Sequence, residues 1–417
     1  MKKRDSMRIH VELRTQHQGR NGNRRAAWLG IGLMFVFGGA MAQDTTTQGA
    51  TTRGATTRGA VVQAVRVFDS ELYRLQVKTV AAGLEHPWGL AFLPERRMLV
   101  TERPGRMRIV AADGALSPPL RGVPKVVAVG QGGLLDVALA PDFARSRLIY
   151  FSFSEPRDGG NGTSVARAKL GDGELTDVEV IFRQVPAVES NGHFGSRLVF
   201  ARDGSLFVTL GERQAKHFTI RAQDLESHFG KIVRIQPGGG AAPDNPFLTV
   251  PGAQPEIWSY GHRNVQGAAL HPETGELWTT EHGPKGGDEL NRSKPGANYG
   301  WPLVTYGIAY NGDKVGVGEQ RAGIEPPVHY WVPSIGTTGL TFYTGERFPK
   351  WRGQLFAGGL YGMVVRLELR NNQVVHEERM LTELKQRIRD VREGPDGLLY
   401  VLTDSPRGEV VSVAPVE

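Results

Sequence analysis

The sequence predicts an all-β protein, a six-bladed β-propeller with about four antiparallel strands per blade. Three observations carry this reading. Helical spacing of apolar residues is nearly absent from about Val80 onward. Short apolar runs there end in Gly, Pro, Asp or Asn turns, which is a strand-and-turn pattern. A strand–turn–strand unit also recurs six times, beginning at Gly89, Asp136, Arg197, Gly267, Gly339 and Asp390. No such unit can bury both its faces alone, and stacking six around an axis supplies a core and protects the sheet edges.

Taken in order, residues 1–42 read as an export signal. They carry eight Lys or Arg against two acids, then an apolar run from Ala26 to Ala40, then Ala40-Met41-Ala42 as a small-x-small cleavage site. The apolar run, about 15 residues, falls short of the roughly 20 that span a bilayer, so no membrane span is expected after cleavage. Residues 43–79 read as a low-complexity tether and lead-in, with a repeated GATTR unit between Thr45 and Ala60. Residues 80–417 are then the propeller, a single domain.

The net charge of +7 suggests a nucleic-acid or membrane surface, but it resides mostly in the leader. Beyond residue 42 there remain 42 basic and 41 acidic residues, so no nucleic-acid partner is expected. The chain has no cysteine, which excludes disulfides and thiolate metal sites. An exported chain of this kind, periplasmic or secreted, must be held by its core.

The stretch richest in chemistry is Gly261 to Pro302. It sets Arg263-Asn264, the Gly283-Pro284 turn, the acidic pair Asp288-Glu289 and the close Tyr299-Gly300-Trp301-Pro302 around two strand-like runs, 267–270 and 276–280. Charged groups at strand ends can be aimed by a rigid sheet at one ligand, here something anionic together with a hard cation. Further on, Arg387 and Arg389 are two apart, so on a strand they share a face and could grip carboxylates. His193 lies in the glycine-flanked turn Asn191-Gly192-His193-Phe194-Gly195, which would leave its ring accessible, and its ordinary pKa suits proton abstraction near neutrality.

The order of GQGGLLDVAL (130–139), NGHFGSRL (191–198), YGHRNVQG (260–267), EHGPKGGDELN (281–291), NYGWP (298–302) and RIRDV (387–391) resembles the soluble pyrroloquinoline quinone (PQQ) dependent aldose sugar dehydrogenases, the glucose/sorbosone dehydrogenase family. The resemblance covers about Gly83 to Val413. It implies oxidation of the anomeric hydroxyl of aldoses to lactones by hydride transfer to PQQ, with electrons passed to a separate acceptor. By the same resemblance His193 is the catalytic base and Glu212 orients its imidazole. Gln131, Arg263, Asn264, Tyr310, Arg387 and Arg389 contact PQQ. The carbonyls of Gly283 and Pro284 meet a cofactor-bound Ca2+, and Glu289 and the Tyr299 backbone hold calcium. One departure stands out: some relatives carry Lys near the fifth blade's Gly-Leu turn, where this chain reads Gly358-Gly359-Leu360-Tyr361-Gly362. His217, His228 and His282 show no ligand-like spacing and read as structural or surface residues.

Two other classes fit the same architecture. A calcium-dependent propeller lactonase would use a channel metal and a histidine but has no use for Arg387 and Arg389. A non-catalytic propeller that binds sugar or protein would leave His193 incidental.

Overall fold

A computed structural model describes residues 65–416; residues 1–42, read as an export signal, and the GATTR tract lie outside the described residues. Six antiparallel sheets are the blades of a propeller. The first has three strands, Pro87–Phe92, Met98–Glu102 and Arg106–Val110. The second to fifth have four each, and their innermost strands are Leu134–Leu139, Leu198–Phe200, Val265–Leu270 and Thr337–Phe342. The sixth is built from Ile388–Glu393, Leu399–Thr403 and Gly408–Pro415, with Arg74–Leu84 and Val65–Asp69 added outside.

That last addition moves the boundary expected near Val80. Residues 65–84 are not lead-in but the two outer strands of the sixth blade. Arg74–Leu84 runs antiparallel to Gly408–Pro415, pairing Leu75 with Pro415 and Leu84 with Gly408, so the first described strands fasten the last. The segment alternates exposed and buried side chains, with Leu75 and Val77 fully buried. Period-2 patterning of this kind is easily missed when Lys, Arg and Gln fill the alternate positions.

Each innermost strand packs on the next around the ring, and Ile388–Glu393 returns to Pro87–Phe92. The apolar core follows this plan as a series of wedges between neighbouring sheets. One joins Leu99, Leu134 and Phe151 across the first and second blades, and another joins Trp278, Leu340 and Leu355 across the fourth and fifth. A small cluster of Trp88, Leu135 and Phe194 gathers residues from three blades.

Five of the six residues that open the sequence repeats are the third residues of these inner strands, and the sixth, Arg197, immediately precedes its own; their chemistry is complementary. Arg197, 1% exposed, donates from Nη1 to Asp136 Oδ1 at 2.9 Å and Asp390 Oδ2 at 3.1 Å. Arg392 joins the same two carboxylates, at 2.9 Å each. Glycines make room for them: a Cβ on Gly89 would lie 2.8 Å from Asp136 Oδ1, and one on Gly339 would lie 1.9 Å from Asp390 Oδ1. Three blades thus supply charge, and glycines of the first and fifth supply the space for it.

Because Asp136 and Asp390 are both fully buried, deleting Arg197 leaves excess negative charge where water cannot reach. Arg197→Met is expected to destabilise the protein by about 3 kcal/mol. Arg145→Met, which removes an exposed pair with Asp142, should leave the denaturant midpoint unchanged. Urea unfolding followed by tryptophan fluorescence compares the two.

Candidate functional site

One end of the ring opens into a cavity of about 110 Å3. It is lined by Gln131, Gln266, His282, Arg387, Arg389 and Asp404 among others, and by Phe194 and Gly195 of the turn that carries His193. Gln131, Arg387 and Arg389, read from widely separated motifs, therefore meet at one mouth, while His193, Glu212, Arg263 and Asn264 are not among its lining residues.

His193 is held by an unusual piece of backbone. Its φ is +47°, and Ser196, Arg213 and Gln214 close by also have positive φ, a cluster of conformations that L-residues avoid. The turn 191–195 lies hard against residues 209–214. A Cβ on Gly211 would come within 2.2 Å of the His193 carbonyl oxygen, so only glycine fits there. The Arg213 guanidinium stacks 3.6 Å from the Phe194 ring and bonds Asn161 Oδ1 at 2.6 Å, bracing the turn from behind.

The ring is not accessible as the flanking glycines suggested. His193 is 3% exposed, because the turn folds under its neighbours rather than projecting from them. Its Nδ1 lies 2.8 Å from Glu212 Oε1, and the backbone N–H of Gln214 donates to Glu212 Oε2 at 2.6 Å. The side chain of Glu212 therefore does reach the imidazole. An ionised carboxylate can only accept, so Nδ1 carries the hydrogen and Nε2 keeps its lone pair. Burial, helped by the charge of Arg263, pushes the imidazole pKa down to about 4 against the opposing pull of Glu212. At neutral pH the ring is an unprotonated base.

Around it the donors are fixed. Gln131 Oε1 accepts the backbone N–H of His193 at 2.8 Å. Asn264 Oδ1 accepts from Gly195 N at 3.1 Å and Gln266 Nε2 at 3.3 Å, while its buried Nδ2 has no partner. Arg263 donates from Nη1 to the Gly283 carbonyl at 2.6 Å and lies over the Trp301 ring, and its buried Nε also lacks a partner. Buried donors without acceptors are costly and rare. These two are available to a ligand rich in oxygen.

Arg387 and Arg389 do line the same cavity, as their spacing predicts. Both approach Asp404 Oδ2, at 3.4 and 2.6 Å, and His86 Nδ1 meets Asp404 Oδ1 at 2.8 Å. Burial opposes ionisation of Asp404, but Arg389 and His86 outweigh it and hold the carboxyl well below the usual range. Arg389 is further tied to Gln266 Oε1 at 3.3 Å. Sequence reasoning missed Asp404, Trp88 and Gln266. Asp404 stands at the strand end across from Arg387, where its N–H bonds the Arg387 carbonyl, so the hairpin register was its only signal.

His282, read as structural or surface, is a lining residue; its Nε2 donates to the Thr337 carbonyl at 2.7 Å, and burial lowers its pKa. Tyr310 is 69% exposed in the 309–313 turn and is not among the residues lining the cavity. Tyr361 is exposed as well, and its neighbour Leu360 is what the fifth blade presents to the cavity.

Of the expected metal ligands, Gly283, Glu289 and Tyr299 line a small cleft beside this cavity together with Glu281, whereas Pro284 is not among its lining residues. Asn291 Nδ2 bridges Glu281 Oε1 and Glu289 Oε2, at 3.1 Å each, and its buried Oδ1 has no partner. Burial and the nearby Glu281 charge push the Glu289 pKa well above the usual carboxylate range. Asp288, read with Glu289 as an acidic turn, is instead buried and structural: it accepts from Gly283 N and from the N–H groups of Ile335, Gly336 and Thr337. Among the described residues no three His, Asp or Glu side chains converge as a ready-made metal site.

The family model described as Glucose / Sorbosone dehydrogenase matches residues 84–412. The aldose sugar dehydrogenase YliI of Escherichia coli is 49% identical over 348 residues, covering 82% of this chain and 93% of the relative. The crystal structure of the soluble aldose sugar dehydrogenase from Escherichia coli in the apo-form superposes with a TM-score of 0.79 at 48% identity, over 82% of this chain and 100% of that one. The PQQ-bound form of an aldose sugar dehydrogenase from Streptomyces coelicolor does so with a TM-score of 0.66 at 30% identity, over 84% and 98%. By this extent of agreement in sequence and fold, the chain belongs to the Glucose / Sorbosone dehydrogenase family.

Proposed function

We propose that this protein is an exported, PQQ-dependent aldose sugar dehydrogenase that oxidises the anomeric hydroxyl to a lactone and passes electrons to a separate acceptor. The observation that carries this reading is the buried His193–Glu212 pair set beside a cavity rich in guanidinium groups. A base without a redox partner would not need that charge, and a lactonase would have no use for Arg387 and Arg389.

The residues present fit PQQ, a flat orthoquinone with three carboxylates. Arg387 and Arg389 supply permanent charge and planar donor forks. The unpartnered Nδ2 of Asn264 and Nε of Arg263 supply donors for quinone or carboxylate oxygens. Bound there, PQQ supplies the two-electron acceptor for the hydride from the sugar's C1. His193 Nε2 takes the hydroxyl proton, and Glu212 stabilises the imidazolium through Nδ1–H. Because the base is buried and neutral, the transfer is made without stripping water from a charged group. Arg263, whose charge already reaches the imidazole, favours return of the proton and so resets the base.

The acidic cleft fits Ca2+ by its donor chemistry: Glu289, Asn291 Oδ1 and nearby carbonyls such as that of Tyr299 are hard oxygen ligands. The Gly283 carbonyl fits a cofactor-bound cation less readily, since it already accepts from Arg263. Bound calcium would relieve the repulsion between Glu281 and Glu289. Among the described residues no helix is long and apolar enough to cross a membrane.

Adding PQQ and Ca2+ to the apo-protein with an artificial electron acceptor and a sugar panel tests the reading. Turnover should require PQQ, and lactone hydrolysis without it would point to the hydrolase instead. His193→Ala should bind PQQ as the parent does and lose about 10²- to 10⁴-fold in kcat.

The depressed imidazole pKa sets the pH behaviour. A base is active when unprotonated, so activity should hold steady as pH falls through 6.5 and decline only below about pH 5. A kcat/KM profile with a neutral sugar would show an acid limb centred at 6.5 if the ring were ordinarily exposed.

Glu289 must lose its proton to bind a cation, and its raised pKa makes that loss easier at higher pH. The rise in Tm on adding Ca2+ to metal-stripped protein should therefore be larger at pH 9 than at pH 6. Glu289→Gln should remove most of that rise, which differential scanning fluorimetry can read.

A further inference from the structure

The positive charge of the cavity is unevenly committed. Arg387 and Arg389 both turn Nη2 toward Asp404. The third guanidinium lining the cavity, that of Arg103, has no carboxylate partner among the described residues; its side chain makes one hydrogen bond, from Nη1 to the Gly130 carbonyl at 2.7 Å. Three guanidinium groups and one carboxylate leave the lining with two uncompensated positive charges.

Arg103 is not a loose surface charge. It lies in the turn between Met98–Glu102 and Arg106–Val110, where its N–H bonds the His86 carbonyl at 3.1 Å and its carbonyl accepts from Leu134 N at 3.0 Å. Its Cγ packs so tightly on Gly133 that a Cβ there would come within 2.6 Å. The side chain is thus braced on the Gly130–Gly133 turn, the segment that also carries Gln131. Its charge reaches Arg389, adding to the effect of burial on that group. No cation comes from the fifth blade, which offers Leu360.

We propose that Arg103 is a cofactor-binding residue that engages a carboxylate of PQQ from the first blade, as Arg387 and Arg389 do from the sixth. This rests on the PQQ reading and extends it to a residue outside the motifs that suggested it. A guanidinium fixed by one carbonyl, with its other donors free, is arranged for a bidentate partner. An anionic ligand with three carboxylates uses all the positive charge of the cavity, whereas a neutral sugar uses none of it.

The test is an equilibrium titration of the full-length apo-protein with PQQ, read by quenching of tryptophan fluorescence, for wild type, Arg103→Gln and Arg103→Lys. Arg103→Gln should raise the Kd about 10- to 100-fold and make its dependence on salt shallower. Arg103→Lys, which keeps a point charge, should raise it less. Unchanged apo-protein melting temperatures would tie the loss to the site rather than to folding. A Kd and salt slope for Arg103→Gln equal to wild type would overturn the assignment. So would an unchanged PQQ affinity with a raised KM confined to sugar acids, which would place Arg103 on the substrate. Wild-type protein that fails to bind PQQ would overturn the functional reading and this one together, whereas wild-type binding with an unaffected variant overturns this one alone.

Discussion

The ion cluster of Asp136, Arg197, Asp390 and Arg392 is the constraint on which the rest of the molecule depends. Two carboxylates are sunk among the inner strands with almost no access to water, a placement that is stable only because two guanidinium groups meet them there. The cluster draws on the second, third and sixth blades, and the glycines that clear its space come from the first and fifth. A ring of wedges held only by apolar faces could slide. Directional bonds at its centre fix how the blades stand relative to one another, and so where each strand end delivers its side chain.

The same arginine begins the path to the site. Arg197 lies 4.4 Å from the Trp88 ring and donates from Nε to the Gln266 carbonyl at 3.1 Å. Trp88 and Gln266 are in turn part of the cavity wall, and Gln266 bonds both Asn264 and Arg389. The floor of the cavity is therefore continuous with the hub of the ring. The donors and the His193 imidazole are held in place by these contacts, the kind of preorganisation that lowers the cost of reorganisation in a reaction.

The parts of this design legible in the sequence were those with a local signature. The heads of the six repeats are visible as recurrences, and they turn out to be the residues that meet at the centre. Arg387 and Arg389 are visible through their two-residue spacing, and His193 through its glycine-flanked turn. What the spacing could not convey is depth. The His193 ring was expected to be accessible and is buried, since the way a turn folds back is decided by neighbours such as Gly211 and Arg213, whose contacts are tertiary. Asp404, Trp88 and Arg103 were invisible for a related reason: each becomes part of the cavity only through its position in a hairpin or its packing on another blade. Tyr310 erred the other way, an aromatic in a suggestive place that faces solvent.

The outer strand of the sixth blade has a consequence for how the chain is made. Arg74–Leu84 leaves the ribosome early, yet its partner Gly408–Pro415 is among the last segments synthesised. Until that partner arrives the early strand has no mate, and the hub lacks the aspartate that Asp390 contributes. Such distant pairing makes folding slow and leaves sticky edges uncovered for longer. Closure of the ring therefore waits on the C-terminal strand: the hub and the outer seam are completed together, once the sixth blade has all its members.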